Sequence, residues 1–456
     1  MAPPQEEREV ERQVTKLKKG EIKVTAQSNE RHFRQQIAQG VSGTHLGLWL
    51  LVPFLLKLEV WQLLEDWLGK DPLDLRMGLQ LVNEAALCTN RLRAKNTFCH
   101  QGFALSNGLS FLPTDKQIHL LCNPLSIQQS QALQLALARQ RFECKHYHSP
   151  YILAIDPHRI PTASKRIMAK KKKKPEQAAQ KMVQTFFCND AITGQPLCSA
   201  IGSSGVPCTK AGLELLGLLD QLPLDSAMLL ADTEHFTLEL LSAIKGHPRF
   251  DILLPAPNTA RIQSMLPQLD YREHWPGYAI GSGNFKFAES DQTFHLIAQR
   301  TGLKKEDLLF KPFISTFPEN DFTQINQQYP KRWTIEEFFN FDGPMRWDRA
   351  STLNLNIQYA KQTAALIAQA ACFELKSLLP QPFSQWTALH TAETCFLGLD
   401  GNLKVVGDTI KITFYNVPKE LNLHQYFSNL PAKLRQQGIN PNVPWLYGFK
   451  IDFVFR

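Results

Sequence analysis

The stretch Tyr151-Ile-Leu-Ala-Ile-Asp156 decides how this chain is read. It is a short apolar run, set off by Pro150 and ended by a carboxylate, which is the pattern of a buried strand. Upstream, residues 31–148 have a different texture. They are rich in Leu, Gln and Ala, and Leu133, Ala136 and Leu137 recur at helical spacing. Downstream, Met182–Cys188 and Pro196–Ile201 are two more strand candidates, with a turn at Thr193-Gly194 between them. A helix is predicted over Lys210–Leu222, a strand over Ala227–Ala231 ending in Asp232, a helix over Phe236–Ile244 and a strand over Phe250–Leu254. Three strands, then helix, strand, helix and strand, predict an α/β domain with a mixed sheet.

The alternation stops after residue 255. Residues 256–328 carry Gly277, Gly281, Gly283 and a hairpin-like pair, Asn284–Ala288 and Thr293–Ala298, and read as an insertion rich in strands and loops. Helix returns near Thr334, and a long alanine-rich helix is predicted over Leu353–Leu378. Strand candidates Lys404–Val406, Thr409–Tyr415 and Phe449–Phe455 follow. The domain plan is a charged, partly disordered arm (1–30), a mostly helical domain (31–148), a core in two pieces (149–255 and 329–378) around the insertion (256–328), and a C-terminal α/β extension (379–456).

Composition narrows the class. Of 456 residues, 43% are hydrophobic, enough for a real core. The net charge of +8 favours a polyanionic partner. Met1–Glu30 has no apolar signal core. Leu46–Leu56 is too short to span a bilayer and reads as a buried helix, so no membrane partner is expected. Nine cysteines with no CxxC pair fit a reduced, cytoplasmic compartment. Cys144, His146 and His148 alternate, but no second ligand pair lies at zinc-finger spacing, and a polar connector is the preferred reading.

Basic residues cluster. Lys165 and Arg166 precede the run Lys170–Lys174, a loop between two strands. Lys170, Lys171 and Lys172 suit phosphate binding, with a plain solvated loop as the alternative. Arg91, Arg93 and Lys95 follow one predicted helix, and Arg139, Arg141 and Lys145 another. They suit phosphate contacts or capping of the helix dipole.

Asp156 and Asp232 both stand at the ends of apolar strands, where α/β sheets build sites. Two carboxylates brought together repel, and a divalent cation removes that penalty. Each also suits a helix N-cap, Asp232 especially, ahead of Thr233-Glu-His235. The third piece is Tyr329-Pro-Lys-Arg-Trp-Thr-Ile-Glu336. If it is helical, Tyr329, Arg332 and Glu336 share one face, a phenol, a guanidinium and a carboxylate suited to a phosphodiester. Thr334-Ile-Glu-Glu337 also reads as a capping box, which would leave Tyr329 and Arg332 in a loop. His158 shares a strand face with Asp156 and suits a metal or phosphate contact, or a structural role. Trp333 suits stacking on an unpaired base, or core packing, the commoner fate of tryptophan.

Tyr329, Arg332 and Glu336, with Arg349-Ala-Ser-Thr-Leu-Asn354, Gly407-Asp-Thr-Ile410 and Pro444-Trp-Leu-Tyr-Gly-Phe-Lys450, resemble the DDE transposases of the IS4-like group of bacterial insertion sequences. The resemblance covers residues 150–456 well and the helical N-terminal part more loosely. It implies an RNase H-like catalytic core with a β-rich insertion between Asp232 and Glu336, and DNA binding by the helical domain. It implies Asp156, Asp232 and Glu336 as catalytic metal ligands, supported by Tyr329, Arg332 and His158. The ions would be two Mg²⁺ or Mn²⁺, about 3.5–4 Å apart. The partners implied are the element's terminal inverted repeats and target DNA, with a homodimer bridging paired ends, in a bacterial cytoplasm at the nucleoid. A catalytically inactive end-binding remnant and an RNase H-like metal-dependent nuclease are the alternatives. The pattern expects a lysine seven residues after Glu336, where this chain has Gly343 followed by Pro344, a pair that ends the helix. Arg346 and Arg349 are candidates to replace it, and to contact DNA.

Overall fold

The structure, a computed structural model, describes residues 24–43, 45–89, 101–162, 167–172, 176–318, 320–349, 352 and 354–456. It forms two compact units, Ala138–Asn340 and a second made of Met1–Leu137 with Phe341–Arg456.

The first unit is built on a nine-stranded sheet. Its strands are β1 (Tyr151–Pro161), β2 (Met182–Asp190), β3 (Pro196–Ser203), β4 (Ala227–Leu230), β5 (Phe250–Pro255), β6 (Asp270–Trp275), β7 (Tyr278–Lys286), β8 (Thr293–Thr301) and β9 (Leu309–Ser315). Their order across the sheet is β3-β2-β1-β4-β5-β9-β8-β7-β6. β1, β2 and β3 form an antiparallel meander, while β4 lies parallel to both β1 and β5. Parallel neighbours need crossovers, supplied here by α1 (Cys208–Leu219) before β4 and α2 (Leu238–Lys245) before β5. α1 buries Ala211, Leu215, Leu218 and Leu219, and Thr237 caps α2 by accepting from the Leu240 N–H. An antiparallel meander followed by two parallel strands, with this order, is the RNase H-like arrangement expected from the sequence.

One expectation changes. β1 does not stop at Ile155 but runs on to Pro161, paired throughout with β2. Its other neighbour, β4, gives out at Leu230, opposite Ala154. Pro157 therefore lies where β1 has an open flank, a place that tolerates proline. The strands of the 256–328 insertion do not form a sheet of their own. β9 pairs antiparallel with β5, so the core sheet continues without a break into β8, β7 and β6. That pairing covers what would otherwise be an exposed apolar edge at Ile252–Leu254.

The second unit packs the helix Leu355–Leu378 against the helix Pro72–Ala86. Its alanines, Ala360, Ala364, Ala368 and Ala371 among them, are fully buried and allow close approach. A four-stranded sheet joins Val41–Gly43, Gly401–Val406, Thr409–Phe414 and Lys450–Phe455. Helix Ala26–Gln39 starts inside the expected disordered arm, capped by Thr25 in a reciprocal box with Ser28. Leu46–Lys57 is buried helical structure, as expected. Among the described residues no single helix is long and apolar enough to cross a membrane, and the described cysteines are free thiols.

Candidate active site

Strand register places the two aspartates. Ala154 pairs with Leu230, Leu230 with Leu253 and Leu253 with Ser315, one row across four strands. One side-chain repeat further on come Asp156, Asp232, Pro255 and Phe313. Side chains two residues apart on a strand share a face. The carboxylates therefore meet where the β1–β4 pairing has ended and the sheet opens.

Asp232 has an extended backbone and caps the short turn Thr233–His235, accepting from the Glu234 N–H at 3.0 Å. The cap expected from the sequence is thus present, and it coexists with a place in the cluster. The same oxygen, Oδ1, lies 2.8 Å from Nδ1 of His235, whose ring is fully buried.

Glu336 arrives from the other side, on α3 (Thr334–Asp342). Helical structure does not start at Thr334 but runs through Gln324–Gln328 and Tyr329–Trp333 into α3. The capping-box reading is therefore wrong. The Thr334 hydroxyl instead donates to the carbonyls of Lys331 at 2.7 Å and Ala191 at 3.0 Å, fixing α3 to the β2–β3 turn. Tyr329, Arg332 and Glu336 then lie on one face. Arg332 bridges two carboxylates, Nη1 to Asp156 Oδ1 at 3.2 Å and Nη2 to Glu336 Oε1 at 2.7 Å. Tyr329 points its hydroxyl at the Ala231 carbonyl, 3.4 Å away, and sets its ring edge-on to Phe313, 4.9 Å between centres.

The electrostatics divide the two aspartates. Burial, then the charge of Asp232, push the Asp156 carboxyl up to about 8 against the opposing pull of Arg332. Burial works against ionisation of Asp232 too, but the hydrogen bond and charge of His235, with Arg332, outweigh it and hold Asp232 below its ordinary value. Burial alone would lower Arg332; Asp156, Tyr329 and Glu336 reverse that and raise it. Burial raises the Tyr329 phenol. An all-oxygen donor set, crowded enough that one member keeps its proton to about 8, fits a hard divalent cation.

Other predicted residues fall as follows. His158 lies on the Asp156 face of β1 with its ring on Phe339, 4.5 Å between centres. Trp333 is 58% exposed, so the core-packing expectation fails: the helical turn that brings Arg332 inward turns its neighbour out. Lys170 and Lys172 are exposed, and the Lys171 backbone pairs with Gln180 in the β1–β2 connection. Lys165 and Arg166 lie outside the described residues, as do Arg91, Arg93 and Lys95. Gly343 directly follows α3, as the Gly-Pro pair predicted. Arg346 and Arg349 belong to the second unit, where Arg346 pairs with buried Glu84 at 2.7 Å and Arg349 lies 3.6 Å from Asp348.

The sequence reading missed His235, although a histidine three residues after an aspartate on a tight turn is a visible signal. It also missed Arg159, which pairs through both guanidinium ends with Glu234 and donates to Gln184 at 3.0 Å. Only the fold brings those partners to β1.

The unit is an RNase H-like core with three carboxylates gathered around one arginine. Residues 147–369, which include all three carboxylates, match the family described as Transposase DDE domain. Among solved structures, the chain aligns with one from the "Cryo-EM structure of piggyBac transposase synaptic complex with hairpin DNA", at 11% identity and TM-score 0.40, over 85% of this chain and 84% of that one. No curated protein matches the chain.

Proposed function

We propose that this chain is a transposase of the IS4-like group, which binds the terminal inverted repeats of a bacterial insertion sequence and cuts and rejoins DNA in a metal-dependent reaction. The observation that carries this reading is the meeting of Asp156, Asp232 and Glu336 around Arg332. Asp156, Asp232 and Glu336 would hold two Mg²⁺ or Mn²⁺ ions, which supply charge neutralisation at the phosphate and activation of the attacking oxygen.

The chain's own groups do the rest. Arg332 has the forked geometry to pair with two phosphate oxygens once it leaves the carboxylates. Tyr329 offers a hydroxyl donor beside it. His235 fixes the orientation of Asp232 through its Nδ1. Asp156 holds a proton near neutral pH and gives it up as the site fills. In the first step a water oxygen bonds to phosphorus and the bond to the 3′ oxygen breaks, leaving a 3′-hydroxyl. In the second that hydroxyl attacks another phosphodiester and displaces its 3′ oxygen. Exposed Lys170 and Lys172, with Lys171, Lys165 and Arg166, are proposed to line the DNA path, and Trp333 to stack on an unpaired base. A homodimer is proposed to hold paired ends.

The test is a strand-transfer assay with the DNA flanking the reading frame and Mg²⁺. Cleavage and joining, both abolished by Asp232→Asn, are expected. Cutting without joining would favour the nuclease reading, and binding without either the inactive remnant.

A further inference from the structure

Lys311 lies on β9, inside the insertion, one side-chain repeat beyond Phe313 and the row that holds the two aspartates. The side chain is exposed. Its ammonium stands 5.2 Å from the centre of the Phe313 ring and 5.8 Å from that of Tyr329. Among the described residues Lys311 has no ion pair and no side-chain hydrogen bond. A lysine held only by ring faces is weakly tethered, by about 0.5–1 kcal/mol at an exposed position, and keeps all three N–H donors for a ligand.

Its neighbours define that ligand. Tyr329 spans the gap, its ring beside Lys311 and its hydroxyl directed at the peptide before Asp232. Arg332, the other cation at Tyr329, already serves Asp156 and Glu336. Lys311 is therefore an uncommitted positive charge among the described residues at this rim, next to a carboxylate cluster that repels any bare anion. Gly343 leaves no cation at the position where the signature pattern has one, and Arg346 is engaged by Glu84.

We propose that Lys311 binds a backbone phosphate of the DNA lying in the active site, supplying from the insertion strand the cation that α3 does not carry. This rests on the DNA-cleaving reading above. The ammonium would leave the Tyr329 ring for a phosphodiester oxygen, and Tyr329 would bond the same or the adjacent phosphate.

The experiment compares wild type, Lys311→Gln and Lys311→Arg on a short duplex carrying one end of the DNA that flanks the reading frame, with Ca²⁺ present. Lys245→Gln is the control. That lysine also rides on a ring, Phe294 at 5.1 Å, but ends α2 at the opposite end of the sheet. Lys311→Gln is expected to weaken binding about five- to tenfold near physiological salt, and to flatten the slope of log K against log salt by about one. Lys311→Arg restores both, and Lys245→Gln changes neither. Replacing the backbone phosphates singly by neutral methylphosphonate should erase the Lys311→Gln penalty at one phosphate at or next to the cleaved bond. An unchanged slope in Lys311→Gln, or a penalty indifferent to every methylphosphonate, overturns the role of Lys311 alone. A wild-type chain that binds no duplex overturns it together with the reading it rests on.

Discussion

Asp156 and Asp232 occupy equivalent positions on adjacent parallel strands, each two residues past the last pair, Ala154 and Leu230. Their surroundings are not equivalent. His235 and Arg332 stabilise the charge of Asp232, and the charge of Asp232 in turn adds to burial in keeping Asp156 protonated. One sheet opening thus holds a permanent anion beside a titrating one.

Asp156→Asn should stabilise the protein without divalent cations. In the folded chain Asp156 keeps its proton to about 8, while in the unfolded chain it ionises near 3.8. Stability therefore falls as pH rises from the lower value to the upper, and asparagine removes that slope. A gain of up to about 4 kcal/mol is expected at pH 7 and little near pH 4. Denaturant unfolding across pH, with chelator, measures it. A variant less stable than wild type at pH 7 would contradict the burial of this carboxyl.

Arg332→Gln should tighten DNA-free Mn²⁺ binding about tenfold, because it removes a cation from the carboxylates proposed to hold the metal. The same change should slow cleavage about 100-fold through loss of the phosphate contact. Calorimetry and a nicking assay read the two effects separately, and weaker Mn²⁺ binding would show that Arg332 organises the site instead of competing for it.

His235→Ala should weaken metal binding by about 10- to 100-fold, the usual cost of removing a group that orients a ligand. The Asp232 side chain would keep its bond from the Glu234 N–H but lose the one from the ring. His235→Asn, which can present a donor near the Nδ1 position, should recover part of the loss. Equal metal affinity in all three proteins would rule out the orienting role.

Changing Lys170 and Lys172 together to Gln should flatten the salt dependence of DNA binding by about two, with Tm unchanged. Both are exposed on the β1–β2 connection. A lower Tm would show that they support the loop itself.

The alternation of apolar runs and helices was enough to read the order of elements along the chain and a mixed sheet, because runs such as Ile152–Ile155 and Ile252–Leu254 are buried and therefore continuous in hydrophobicity. The far end of β1 was not legible. Its pairing past Asp156 depends on β2 alone, and Pro157 looks like a terminator in one dimension. The helical turn at Tyr329–Trp333 was ambiguous for a similar reason: Pro330 and Thr334 both mark helix starts, and only the edge-on contact of Tyr329 with Phe313 and the Arg332 bridge show that the turn continues. Lys311 carried no sequence signal, since it neighbours the site only through β9 pairing with β5.

That last pairing has a mechanical meaning. The spacing between Lys311 and Asp232 is set by main-chain hydrogen bonds across β9, β5 and β4, not by side-chain packing or a linker. A sheet resists stretching along those bonds far more than it resists twisting. The insertion is therefore a bracket bolted to the sheet that carries the carboxylates: it can tilt with that sheet, but it cannot slide along it without breaking the pairing, and its inner strand stands at a fixed gauge from them.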